Sequence, residues 1–146
     1  PQGDLWRFRW VPAVIVFVLF NAVLAAYMAR LWVSGTLRVY ESLNTWQYIF
    51  MIGLKPITAG FCEELIWRGY IITRLEARGR SRRLAVLLSA VSFALIHGLF
   101  FPVKLLVTFL IGIVTGLYYT RERNLVPLMV THLIADVWSF GLLLFV

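Results

Sequence analysis

The chain is short of charge, and of acid most of all. Its 146 residues include 7 Asp and Glu, 2 His and 1 Cys, and charged residues make up 14% of it. A lone cysteine, Cys62, excludes an internal disulfide and any cysteine-based zinc site. A soluble domain carries about 25% charged and about 45–50% apolar residues. Here the apolar share is 61% and the mean hydropathy is +0.83, which excludes that class. The sequence also lacks repeats and low-complexity tracts, so it gives no sign of the inverted repeat of many membrane carriers. The net charge of +7 comes from basic residues that flank apolar segments and do not cover a polar face. That is the pattern of topology determinants and argues against a nucleic-acid partner.

What is abundant is apolar sequence in long runs. Five segments stand out, at 10–31, 57–77, 84–101, 103–120 and 125–146. A spanning helix needs about 20 residues, so the expected fold is all-α, a polytopic transmembrane bundle of about five to six helices. One membrane-embedded domain, residues 1–146, is expected. The chain opens on Pro1 and is read as trimmed or as part of a longer protein. Arg7 and Arg9 before an apolar run resemble a signal peptide, but 10–31 exceeds the 7–15 residues of a signal core and reads as an anchor, with a cleaved signal as the alternative. The stretch 45–54 is too short to cross alone. It is interfacial, re-entrant, or the start of a long second helix bent at Pro56. Pro102 marks a tight turn, and Asn124 with Pro127 the start of the last span. Gly112 and Gly116 form a GxxxG, expected to pack helices closely within the bundle, with a dimerisation face as the alternative.

With five spans, Arg7, Arg9, Arg74, Arg78, Arg80, Arg82, Arg83, Arg121 and Arg123 share one side, against Arg30, Arg38, Lys55 and Lys104. The richer side is expected to be cytoplasmic. At ~1.5 Å per helical residue, Glu63 and Glu64 then lie ~21–22 Å in, Arg68 ~15 Å, His97 ~21 Å, His132 ~14 Å and Asp136 ~20 Å. Ionisable groups at such depth are expensive and mark functional sites. Three segments bring them to a similar level.

Their spacing suggests partners. Glu64 and Arg68 are i, i+4 and can form a structural ion pair, while Glu63 is turned ~100° away and has no such partner. Phe93 and His97 are i, i+4, as are His132 and Asp136; the bland reading is core packing and a buried pair tying helices together. Two chemical arrangements fit. In one, Glu63 and His97 activate a water while His132 and Asp136 face the oxyanion. In the other, His97, His132 and a carboxylate bind a divalent metal such as zinc, although the HExxH spacing of helical zinc proteases is missing.

Glu63-Glu64-x-x-x-Arg68, Phe93-x-x-x-His97 and His132-x-x-x-Asp136, in that order on separate apolar segments, resemble the three motifs of the CAAX-protease and bacteriocin-processing (CPBP, or Abi) family. The motif-bearing core covers 57–140. The resemblance implies a glutamate-type intramembrane endopeptidase without a metal or other cofactor. By motif, Glu63 would be the base, His97 would help place the water, and His132 with Asp136 would form the oxyanion site. Glu64 and Arg68 would support the architecture, and Phe93 would line or pack the site. The family often has Asn where this chain has Asp136, which donates a hydrogen bond only when protonated; ionised, it would orient His132 instead. The implied partners are membrane lipid and a membrane-associated or lipidated polypeptide, with carboxy-terminal sorting or processing segments favoured over prenylated tails. The implied location is a bacterial cytoplasmic (inner) membrane. A non-catalytic membrane immunity or protection protein, a divalent-metal-dependent protease and a proton-coupled carrier are the competing readings.

Overall fold

Asn44 starts the central helix by a reciprocal cap. Its side chain accepts from Gln47 N at 3.0 Å, and the Gln47 side chain accepts from Asn44 N at 2.8 Å, which satisfies two donors at the helix end. From there the backbone stays helical without a break over 45–77. The structure, a computed structural model, describes residues 10–35 and 44–141. It contains helices α1 (Trp10–Val33), α2 (45–77), α3 (Arg82–Gly98), α4 (Pro102–Glu122) and α5 (Val126–Gly141), and no strand among the described residues. The 45–54 stretch is therefore the first part of a long second helix. Arg7, Arg9, Arg38 and positions 142–146 of the last expected span lie outside the described residues.

Helix α2 changes register twice, through π turns at Phe50–Leu54 and Glu64–Ile72. The first sits just before Pro56, whose missing N–H and bulky ring disturb the α register. Ser81 caps α3 by accepting from Leu84 N at 3.3 Å, and Pro102 opens α4, where its fixed φ suits the first turn. Before α5, Asn124 Oδ1 accepts from Val126 N at 3.0 Å.

Small residues let the helices approach. A Cβ on Gly112 would lie 2.9 Å from Ala90 Cα, and one on Gly116 would lie 2.9 Å from Val86 Cγ1. The GxxxG face of α4 is thus occupied by α3 of the same chain. Helix α2 packs on α3 through its second π turn and on α5 through Lys55–Glu63, and α1 lies against α4 and α5. At one end of the bundle Glu76 pairs with Arg123 at 2.5 Å and faces Arg82 at 3.9 Å, which joins the two short turns there.

The interior combines apolar clusters around Ile72, Val86, Phe93 and Leu128 with buried polar groups, and large apolar side chains also cover the outside. Glu64, Arg68, Ser89, Thr115, Thr131, His132 and Ser139 are buried, while Leu65, Ile66, Ile96, Leu106, Leu110, Val130 and Ile134 are exposed. By length and composition, α1 and α4 are each able to cross a membrane.

Gly112→Val should lower the stability of the purified protein by about 1–3 kcal/mol, because the added volume meets backbone and has nowhere to go. Thermal unfolding in detergent checks this, with Gly141→Ala, which meets open space, as the near-neutral control. Unchanged melting accompanied by loss of a dimer would instead put Gly112 on an external face.

Candidate active site

The second π turn opens at Glu64, so the two adjacent acids stand at a register change. Their side chains reach different neighbours. Glu63 turns toward α3, where its Oε2 lies 3.3 Å from His97 Nε2, and the same oxygen lies 3.8 Å from His132 Nε2 on α5. Glu64 is fully buried, and its Oε1 is shared by Arg68 Nη1 at 3.1 Å and His132 Nδ1 at 3.0 Å. Glu63, Glu64, Arg68, Phe93, His97, His132 and Asp136, separate in sequence, thus come together between α2, α3 and α5.

Acceptor chemistry fixes the tautomers. His97 Nδ1 lies 2.8 Å from the Phe93 carbonyl, which can only accept, so that nitrogen carries hydrogen. His132 Nδ1 faces a carboxylate already paired with Arg68, so it too carries hydrogen. Each ring therefore presents Nε2 to Glu63. Neutral rings offer lone pairs there, and only the doubly protonated form donates from Nε2.

Asp136 stands farther from His132 than Glu64 does. Its Oδ1 is 3.9 Å from Nε2, on the edge of the ring that faces Glu63, whereas the carboxylate within hydrogen-bond reach of the ring is Glu64. Nδ1 is held by Glu64, and Asp136 stands beside the open nitrogen.

Arg68 is almost wholly buried, and its charge is met on several sides. Beyond Glu64, its Nη2 donates to Thr115 Oγ1 at 2.5 Å, and Thr115 passes the interaction on to the Ile111 carbonyl at 2.7 Å. The guanidinium also sits 4.5 Å from the centroid of the Phe93 ring, a cation–π contact. Phe93 in turn lies 4.4 Å from the His97 ring and packs edge-on to Trp67. From α1, Phe20 covers His132 at a ring separation of 5.5 Å.

Thr115, Ser89 and Phe20 are site neighbours that the motifs do not contain. Thr115 had a signal: it lies in the small-residue face with Gly112 and Gly116, where hydroxyls commonly bond across helices. Ser89 donates to the Trp67 carbonyl inside the π turn at 2.7 Å, and nothing in the sequence distinguishes it from other serines.

Access is uneven. Glu63 and His97 each keep 24% of their side-chain surface exposed, and Asp136 keeps 19%, whereas Glu64 is sealed. Glu63 Oε2 is buried and accepts no well-aligned hydrogen bond from the described residues, despite the two imidazole nitrogens in front of it. No three His, Cys, Asp or Glu among the described residues are placed to hold a metal ion together.

A family model, Rce1-like, described as type II CAAX prenyl endopeptidase Rce1-like, matches residues 44–138. The matched stretch begins at the cap of α2 and includes every residue of the constellation. No curated protein and no solved structure matches the chain.

Breaking a buried ion pair by removing one partner costs about 3–5 kcal/mol. Glu64→Ala and Arg68→Ala should therefore reduce the amount of folded protein at least as much as any activity. Thr115→Val, which removes a hydrogen bond to a charged group, should cost about 1.5–3 kcal/mol, and Thr115→Ser should restore most of it. Thermal unfolding of each purified variant is the check.

Proposed function

The chain belongs to the Rce1-like family of type II CAAX prenyl endopeptidases, and from that premise we propose that it is a glutamate-type intramembrane peptidase. Its substrate would be a membrane-associated or lipidated polypeptide, and its one domain a polytopic bundle in a bacterial cytoplasmic membrane. The carrying observation is that Glu63 Oε2, itself buried, has His97 Nε2 at 3.3 Å and His132 Nε2 at 3.8 Å while the rest of the Glu63 side chain stays partly accessible. The apolar exterior and the polar groups buried within the bundle support a reading with lipid outside and chemistry inside.

In this reading a water held between Glu63 and His97 attacks the scissile carbonyl carbon. Glu63 takes the water proton as the new carbon–oxygen bond forms, and the carbonyl π electrons move onto oxygen. His132, with both nitrogens protonated, donates from Nε2 to that oxyanion, while its Nδ1–H stays on Glu64. Asp136 stands beside the same nitrogen and donates as well when it carries a proton. Collapse of the tetrahedral intermediate breaks the carbon–nitrogen bond, and the proton on Glu63 passes to the leaving amine. Atoms and charge return to the starting state with one water consumed. The Phe93 carbonyl keeps His97 in the tautomer whose bare Nε2 can accept from the water. Water alone serves as the nucleophile, without a metal.

Glu63→Gln keeps the shape and removes the base. Cleavage of a membrane-anchored peptide should fall at least 100-fold, in line with general-base contributions of about 10²–10⁴, while melting and membrane yield stay near wild type. Full activity in this variant would overturn the assignment. Cleavage should also survive a strong chelator; loss that is restored by added zinc would replace the water-only mechanism with a metal one.

A further inference from the structure

A concavity lies away from the constellation, at the end of the bundle that carries Arg82, Arg121 and Arg123. It has a volume of about 660 Å³ and runs between α1 and α4, within the ~300–1,000 Å³ of small-molecule sites. Its wall is apolar, formed by Ile15, Leu19, Val114 and Leu117 among others, and its polar mouth holds Arg82, Tyr118, Arg121 and Glu122. None of Glu63, His97, His132 and Asp136 lines it.

We propose that this groove binds an anionic phospholipid, with the phosphate at Arg82 and Arg121 and an acyl chain along the α1–α4 wall. The inference rests on the proposed membrane reading and concerns a place the peptidase chemistry does not use.

Charge placement argues for a phosphate. Arg82 is 72% exposed and its nearest carboxylate, Glu76, is 3.9 Å away and more closely engaged with Arg123. Arg121 has no ion-pair partner among the described residues. Glu122 also lines the mouth and opposes an anion, so the two arginines exceed it by one charge. Both cations sit where helix ends meet the basic turns, the level of lipid phosphates on a cytoplasmic face, and basic pockets between helices on that side favour anionic head groups.

The wall argues for a chain. From Glu122 to Val114 it extends about 12 Å at ~1.5 Å per residue, directed along the helix axes toward the bundle centre. Ile15, Leu19 and Leu117 are all exposed there. A soluble anion would use the arginines and leave that apolar surface uncovered; a phospholipid covers both.

The test uses native mass spectrometry of the full-length protein, released from detergent with phosphatidylglycerol or phosphatidylcholine. The wild type should retain phosphatidylglycerol at least tenfold better. Arg82→Ala with Arg121→Ala should erase that preference, while Arg78→Ala with Arg80→Ala, equal in charge but outside the groove, should keep it. Ile15→Trp, filling the wall, should reduce retention of phosphatidylglycerol with the arginines intact. Equal losses in the two double variants would mean diffuse charge attraction and overturn the proposal, as would equal retention of both lipids by the wild type. Glu63→Gln should bind lipid like the wild type, so failure of the peptidase reading and failure of this one are read separately.

Discussion

One carboxylate oxygen, Glu64 Oε1, holds Arg68 and His132 at the same time, and much of the interior is arranged around it. Through His132 it ties α2 to α5. Through Arg68 and Thr115 it reaches α4, and through the Phe93 ring under the guanidinium it reaches α3. Charges taken out of water cost several kcal/mol each unless matched by opposite charge and hydrogen bonds. Here the match is nearly closed, since Arg68 has a carboxylate, a hydroxyl and an aromatic face. The pairing therefore specifies how the helices meet more than it adds to stability. A shifted α5 would leave Nδ1 of His132 without its acceptor and Glu64 with a single partner.

Close helix approach is the complementary constraint. Gly112 and Gly116 bring α4 against Ala90 and Val86 of α3, and Thr115 lies on that same stretch of α4, aimed at Arg68. Larger residues in place of the glycines would push Thr115 away from the guanidinium it satisfies. Gly60 does the equivalent on α2, where a Cβ would come within 3.1 Å of the Met129 carbonyl on α5. Backbone contact and buried charge thus hold the same helices in the same register, and the exposed apolar residues are left on the outside.

Much of this architecture was legible in the sequence, because lipid-length apolar runs and proline positions are strong signals. Helices appear over each expected apolar segment among the described residues, with Pro102 at the start of α4. The continuity of 45–77 was one of several readings left open, since an apolar run of ten residues beside a proline fits more than one backbone. The π turns were not legible at all: a hydrophobic pattern read at 3.6 residues per turn has no marker for a locally wider one. The motif residues do come together, as their depths implied. Which acid serves which imidazole did not follow from spacing, because the i, i+4 rule pairs His132 with Asp136, whereas the acceptor for Nδ1 is Glu64, 68 positions away.

In the proposed mechanism the two neighbouring glutamates divide work that a single acid could not do. Glu64 holds both Arg68 and a histidine through one oxygen, Oε1, and is sealed from solvent, so in the proposed mechanism it cannot also take a proton from a reacting water. A carboxylate left accessible for that purpose would leave Arg68 buried without a counter-charge. Helical geometry resolves the conflict by turning consecutive side chains about 100° apart, so that one acid faces α5 and the guanidinium and the other faces the Nε2 of His97. The register change begins at Glu64, the sealed member of the pair, and leaves Glu63 at the end of the preceding α segment with its partly open edge. Adjacent positions in the chain thus supply a fixed anion and a reachable one, and the distance between the two roles is a single peptide unit.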